Sequence, residues 1–171
     1  MNTFRETGIL LFVAAIAIAP PARSQSKPVT SDIKNADGRS VGTATLSEAP
    51  KGVKIKLDIK DLPPGQHSIH IHQVAKCEAP DFKSAGPHFG AAHADHEHGA
   101  APAGDIPDFS LIVAADGTAH VSVVAPNVTM GAGDNSVFSN GGTSIVIHAA
   151  ADPSAAGAPA RIACAVIAKS E

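Results

Sequence analysis

Lys51-Gly-Val-Lys-Ile-Lys-Leu-Asp-Ile-Lys60 decides the fold class. Val53, Ile55, Leu57 and Ile59 alternate with Lys54, Lys56, Asp58 and Lys60, and a period of two puts one set on a buried face and the other in water. A strand with one wet face belongs to an antiparallel sheet, because parallel strands are covered on both sides. Shorter runs of the same kind occur at 29–33, 41–46, 67–73, 109–114, 119–124, 144–148 and 161–168. Asp37-Gly38, Pro64-Gly65 and Asp116-Gly117 supply turn chemistry between several of them. Eight short strands and no long segment of helical period predict an all-β sandwich or small barrel.

The composition narrows the class of function. The 171 residues carry 13 Lys and Arg against 16 Asp and Glu, a formal charge of −3, so a nucleic-acid-coating role is excluded. With no Trp, no Tyr and six Phe, the core rests on Val, Ile, Leu and Ala. Nine His in so sparsely charged a chain point to metal or proton chemistry. Arg5, an apolar run from Gly8 to Ala19 and then small residues and prolines read as a secretory leader over residues 1–24. Ser24 fits the cleavage point best, within a window from Ala19 to Ser26. Twelve apolar residues are too few to span a bilayer comfortably, so no stable membrane association is expected once the leader is gone. The domain of residues 25–171 would then be periplasmic or secreted, and removal of Arg5, Glu6 and Arg23 leaves 11 basic and 15 acidic residues, a charge of about −4. In such an oxidising compartment Cys77 and Cys164 read as a disulfide, which in the chain-entropy model contributes about 4 to 5 kcal/mol for a loop of this length.

Two stretches do not read as strands. One runs from 74 to 107 and is rich in Ala, Gly, Pro and His; the other runs from 149 to 160. Loops of such length in a compact domain are commonly functional. Both flank strands that carry His. His70 and His72 sit two apart, so their imidazoles share one face while Ile69 and Ile71 turn to the core. Two neutral imidazoles on one strand face form a chelating pair for copper or zinc. His148 in Ile145-Val-Ile-His148 and His88 in Ser84-Ala-Gly-Pro-His88-Phe89 extend the set.

Gly65-Gln-His67-Ser-Ile-His70-Ile-His72, Cys77, Ser84-Ala-Gly-Pro-His88-Phe89, Gly104-Asp105, Ile145-Val-Ile-His148 and Arg161-Ile-Ala-Cys164, taken in this order, resemble the Cu,Zn superoxide dismutase family over nearly the whole mature chain. The resemblance implies an eight-stranded Greek-key β-barrel, an immunoglobulin-like sandwich, with the metal site on its outer wall between two long functional loops. It implies copper bound by His70, His72, His88 and His148, with His88 also bridging to zinc, and a Cys77–Cys164 bridge pinning the loop that bears His88. Arg161 would guide the superoxide anion, and His88 would carry a proton toward peroxide as copper cycles between its two oxidation states. Asp152 resembles a carboxylate that links the two metal shells, and His67 a non-ligand that braces the site through backbone hydrogen bonds. The expected activity is disproportionation of superoxide to O2 and H2O2 by a monomer or homodimer.

Two departures bear on zinc and on substrate approach. The family's last two zinc ligands fall in a His-x-Gly-Asp pattern, which here reads Pro102-Ala103-Gly104-Asp105. Proline offers no side-chain donor. Asp105 and His88 remain, His98 best matches the middle zinc histidine, and His93 or His96 could complete a tetrahedral set; a copper-only protein is the alternative. The loop between His148 and Arg161 is short and has no Lys or Arg, so the local positive field must come from copper, Arg161, Lys76 or Lys83, since charges beyond about 10 Å are screened. Ser68, where the family often has Gly, is a milder departure. A competing reading is a non-catalytic copper-binding or copper-buffering protein on the same barrel, for which an anion guide at Arg161 would have no use.

Overall fold

The computed structural model describes residues 26–90, 101–149 and 159–169. The leader, the loop histidines His93, His96 and His98, and Asp152 lie outside the described residues.

The decisive stretch is strand β3, Gly52–Ile59. Its apolar residues Val53, Ile55 and Leu57 are fully buried and Ile59 nearly so, while Lys54 and Lys56 face water. The other strands are β1 (Val29–Asn35), β2 (Ser40–Ala49), β4 (Gly65–His67), β5 (Ile69–His72), β6 (Leu111–Val113), β7 (Ala119–Ala125), β8 (Thr143–His148) and β9 (Arg161–Ile167). Two short 3-10 turns, Lys83–Ala85 and Ser139–Gly141, are the only helical elements among the described residues. Seven strands form one curled sheet in the order β5-β8-β9-β1-β2-β3-β7, and β4 pairs with β6. Every strand pairing within both sheets is antiparallel.

The count of nine rather than eight comes from the 67–73 run, which divides at Ser68. His67 pairs with Leu111 in one sheet, and Ile69 pairs with Ile147 in the other. At the corner, Ser68 lends its carbonyl to the His148 N–H at 2.9 Å. A single extended segment therefore serves both walls, and its alternation persists: Ile69 and Ile71 are buried in the core.

The main core joins Ile33, Leu46, Ile55, Leu57, Ile71, Leu111, Ile145, Ile147 and Ile167 between the walls. Aliphatic side chains fill it, as a chain without Trp or Tyr requires. A second, smaller cluster lies on the opposite face of β8 and β9, where Phe82 and Ala85 of the long loop cover Val146 and Cys164, with Cys77 against them. Strand β8 is thus buried on both faces along its whole length. The Cys77–Cys164 disulfide, with Cα atoms 5.6 Å apart, closes the cluster covalently. The loop is held by burial and by a bond at the same place.

Candidate metal centre

Three backbone hydrogen bonds gather the site. Ile71 N–H donates to Gly104 O at 2.9 Å, Phe89 N–H to Ile71 O at 2.8 Å, and Gly104 N–H to Phe89 O at 2.8 Å. Each of these residues has a chemistry-bearing neighbour: His70 and His72 flank Ile71, His88 precedes Phe89, and Asp105 follows Gly104. The closed triangle therefore brings residues far apart in sequence together before any side chain interacts. Gly104 is obligatory here, because a Cβ on it would stand 2.1 Å from Ile71 O. From the next strand, His148 enters beside His70, whose pairing partner is Val146.

One ligand-type nitrogen from each of His70, His72, His88 and His148 lies within 4.8 Å of the others. Among the described residues this is the one group of three or more potential metal donors. The rings pack face and edge, with His70 stacked on His88 at 4.2 Å between centroids and His72 edge-on to His88 at 4.8 Å. Outer partners occupy the other nitrogens. His72 Nδ1 donates to Gly86 O at 2.8 Å, His148 Nδ1 to Pro159 O at 3.2 Å, and His88 Nδ1 to Asp105 Oδ1 at 2.7 Å. A ring that gives its Nδ1 proton to an oxygen keeps the Nε2 lone pair for a metal. The Nε2 atoms of His72 and His148 then face each other at 3.4 Å as two acceptors, an arrangement that a cation between them resolves. His70 Nδ1 is buried with no hydrogen-bond partner, which is costly unless something electrophilic meets it. The residues fit a copper ion held by four imidazole nitrogens.

The electrostatics agree. Burial holds the imidazole of His72 down to a pKa of about 3, with Arg161, His88 and His148 adding to the effect against the Gly86 hydrogen bond. Burial, reinforced by His88 and His148, lowers that of His70 to about 4. His148 is lowered as well, again chiefly by burial. Burial thus favours the neutral form of His70, His72 and His148, the form in which imidazole binds metals.

Arg161 opens β9 beside this group. Its Nη1 donates to Phe82 O at 2.7 Å and its Nη2 to Gly86 O at 2.8 Å, so the guanidinium is clamped to the disulfide-bearing loop and its remaining N–H groups are available to an anion. His67 is buried, and its ring spans the carbonyls of His148 at 2.9 Å and Pro63 at 2.8 Å, a brace behind the tetrad. Lys83 is exposed and paired with Asp81 at 2.8 Å, which cancels most of its local field. Lys76 is exposed and makes no side-chain ion pair among the described residues. His120 stands on the wet face, at 2.7 Å from Asp58 Oδ1, away from the tetrad.

Asp105 reaches His88, whereas Pro102 contributes only its carbonyl, which accepts the Asp105 N–H at 3.0 Å. The participants that sequence reasoning did not single out are backbone acceptors: Gly86 O, Phe82 O, Pro159 O and Pro63 O. A carbonyl has no residue-specific signature. Phe82 alone offered a signal, as a rare aromatic in a loop of Ala, Pro and Gly.

Comparison with known proteins places this architecture. The family model described as copper/zinc superoxide dismutase (SODC) matches residues 40–167. The Cu-Zn superoxide dismutase of Caulobacter vibrioides is 42% identical over 149 residues, 81% of this chain and 84% of that protein, and that of Escherichia coli is 33% identical over 130 residues, 69% and 74%. Among solved structures, a double mutant of a SOD-like protein from Bacillus subtilis superposes with a TM-score of 0.70 at 29% identity, covering 82% of this chain and 97% of that one. The Cu/Zn superoxide dismutase from Brucella abortus does so with a TM-score of 0.64 at 30% identity, covering 82% and 99%. The chain belongs to the copper/zinc superoxide dismutase family.

Proposed function

We propose that the protein is a copper-dependent superoxide dismutase, which converts two superoxide anions and two protons to O2 and H2O2. The convergence of four imidazoles, three with the second nitrogen engaged by an oxygen and one with a buried orphaned Nδ1, carries this reading. His70 through Nδ1, and His72, His88 and His148 through Nε2, would hold copper. When bound, copper supplies the one-electron chemistry, taking an electron from one superoxide and returning it to a second.

The chain's own residues do the rest. Arg161, clamped at Phe82 O and Gly86 O, presents a permanent positive charge and free N–H donors beside the tetrad, stabilising the anion at contact distance. His88, linked to Asp105 on one side and facing the tetrad on the other, is placed to hold and deliver a proton toward peroxide. His67 holds the His148 carbonyl and so fixes the strand that carries that ligand. His88 and Asp105 are also the described part of a zinc set that His98, with His93 or His96, would complete; Asp152 would join the two shells as an outer partner.

Residues 1–24 act as an export leader in this reading, and the domain works in the periplasm or outside the cell. The Cys77–Cys164 bridge suits an oxidising compartment. No helix among the described residues is long and apolar enough to cross a membrane. The test is superoxide decay catalysed by mature, disulfide-intact, copper-loaded protein against free copper at the same concentration. A rate no greater than the free-copper control, with copper fully bound, would instead favour a copper buffer.

A further inference from the structure

The contact between His88 and Asp105 is direct. Their Nδ1 and Oδ1 atoms lie 2.7 Å apart, with the side chains 31% and 29% exposed. Two donors on one tetrahedral zinc at its usual bond lengths stand about 3.4 Å apart, so the 2.7 Å contact is a direct hydrogen bond between the two side chains. The backbone delivers both partners to this position. Phe89 and Gly104 are hydrogen-bonded to each other and to Ile71, and the adjoining residues His72 and His88, and His70 and Asp105, form two further antiparallel bridges. At the place of the family's zinc histidine stands Pro102, which has no side-chain donor and is used only through its carbonyl.

We infer that Asp105 is a positioning residue that does for His88 what a second metal would do. By accepting the Nδ1 proton it fixes the ring's tautomer and orientation, and it presents Nε2 to copper as a carboxylate–histidine–metal arrangement. The copper centre is then complete and catalytic without zinc. The inference rests on the copper-dismutase reading and adds to it that zinc is dispensable and that Asp105 is the reason.

Mature protein with its disulfide intact is loaded with copper alone or with copper plus zinc. Zinc content, the copper electron paramagnetic resonance spectrum and superoxide decay are measured on wild type, Asp105→Asn and Asp105→Ala, with urea midpoints to confirm folding. The expected result is wild-type activity within about twofold between the two loadings and a spectrum unchanged by zinc. Asp105→Ala should shift the spectrum and lower copper-only activity about tenfold, the loss of one charge-assisted hydrogen bond. Asp105→Asn, whose amide oxygen still accepts from Nδ1, should retain most of both. The inference is overturned if zinc binds one to one and raises activity more than tenfold while Asp105→Asn abolishes that zinc, which would make Asp105 a zinc ligand. It is also overturned if Asp105→Ala matches wild type in spectrum and rate. A wild type inactive with either loading would remove the dismutase reading, and the spectral comparison with Asp105→Ala would still decide the role of Asp105.

Discussion

His72 and Arg161 meet on one carbonyl: Gly86 O accepts His72 Nδ1 and Arg161 Nη2, each at 2.8 Å. The proposed anion guide and a proposed copper ligand are therefore oriented by the same oxygen. Arg161→Lys keeps the charge but cannot span Phe82 O and Gly86 O together, because an ammonium lacks the fork of the guanidinium. A hydrogen bond to a charged group contributes about 1.5 to 3 kcal/mol. The expected outcome is a fall of about ten- to a hundredfold in kcat/KM for superoxide with copper content unchanged, measured by pulse radiolysis on the copper-loaded protein.

Gly104→Ala tests the backbone triangle. The added Cβ would meet Ile71 O at 2.1 Å and Phe89 N at 2.9 Å, both backbone atoms that cannot swing aside. Relief requires opening the hydrogen bonds that bring the 88 and 105 positions to β5. The variant should keep its sheet but lose tight copper binding, seen as an unchanged far-ultraviolet circular dichroism spectrum with copper released to a chelator that wild type resists.

The metal-free protein should lose stability as pH falls from about 6.5. His70 and His72 titrate in the fold at about 4 and about 3 against an ordinary value of 6.5, so below 6.5 the unfolded chain binds protons that the folded chain refuses. Since the unfolded state then holds more protons, stability falls with falling pH. The contribution is fully present above pH 6.5, and its loss is complete below about 4 for His70 and about 3 for His72. Urea midpoints of the metal-free protein between pH 7 and 4 should drop for wild type and drop less for His72→Gln.

How much of this was legible in the sequence differs from one residue to the next. Ile69, His70, Ile71 and His72 declared their faces through the period of two, and they occupy those faces. The division of the same run at Ser68 was not legible, because the partners that decide it lie far downstream, Leu111 44 residues after His67 and Ile147 78 residues after Ile69. Lys76 and Lys83 looked equivalent as sources of positive field until the fold paired Lys83 with Asp81.

That difference makes the last prediction. Lys76→Glu should lower the second-order rate with superoxide a few-fold at low salt, an effect that shrinks toward 0.15 M ionic strength, where the screening length is about 8 Å. Lys83→Gln should change it less, because it removes a charge that Asp81 already compensates. Stopped-flow rates across ionic strength would separate the two.

By itself the sequence determined what is local: the alternation of Val53 to Lys60 that makes an antiparallel β protein, the His70–His72 pair on one face, and the order of motifs that places the chain in its family. Backbone periodicity dictates such features within a few residues, so they are written wherever the chain is read. Only the tertiary structure decided the supports of the site. The Ile71–Phe89–Gly104 triangle, the Gly86 carbonyl shared by His72 and Arg161, and the Asp105 carboxylate on His88 join segments 14 to 75 residues apart. Most of these contacts use main-chain oxygens and N–H groups that every residue type provides, so no side-chain pattern announces them.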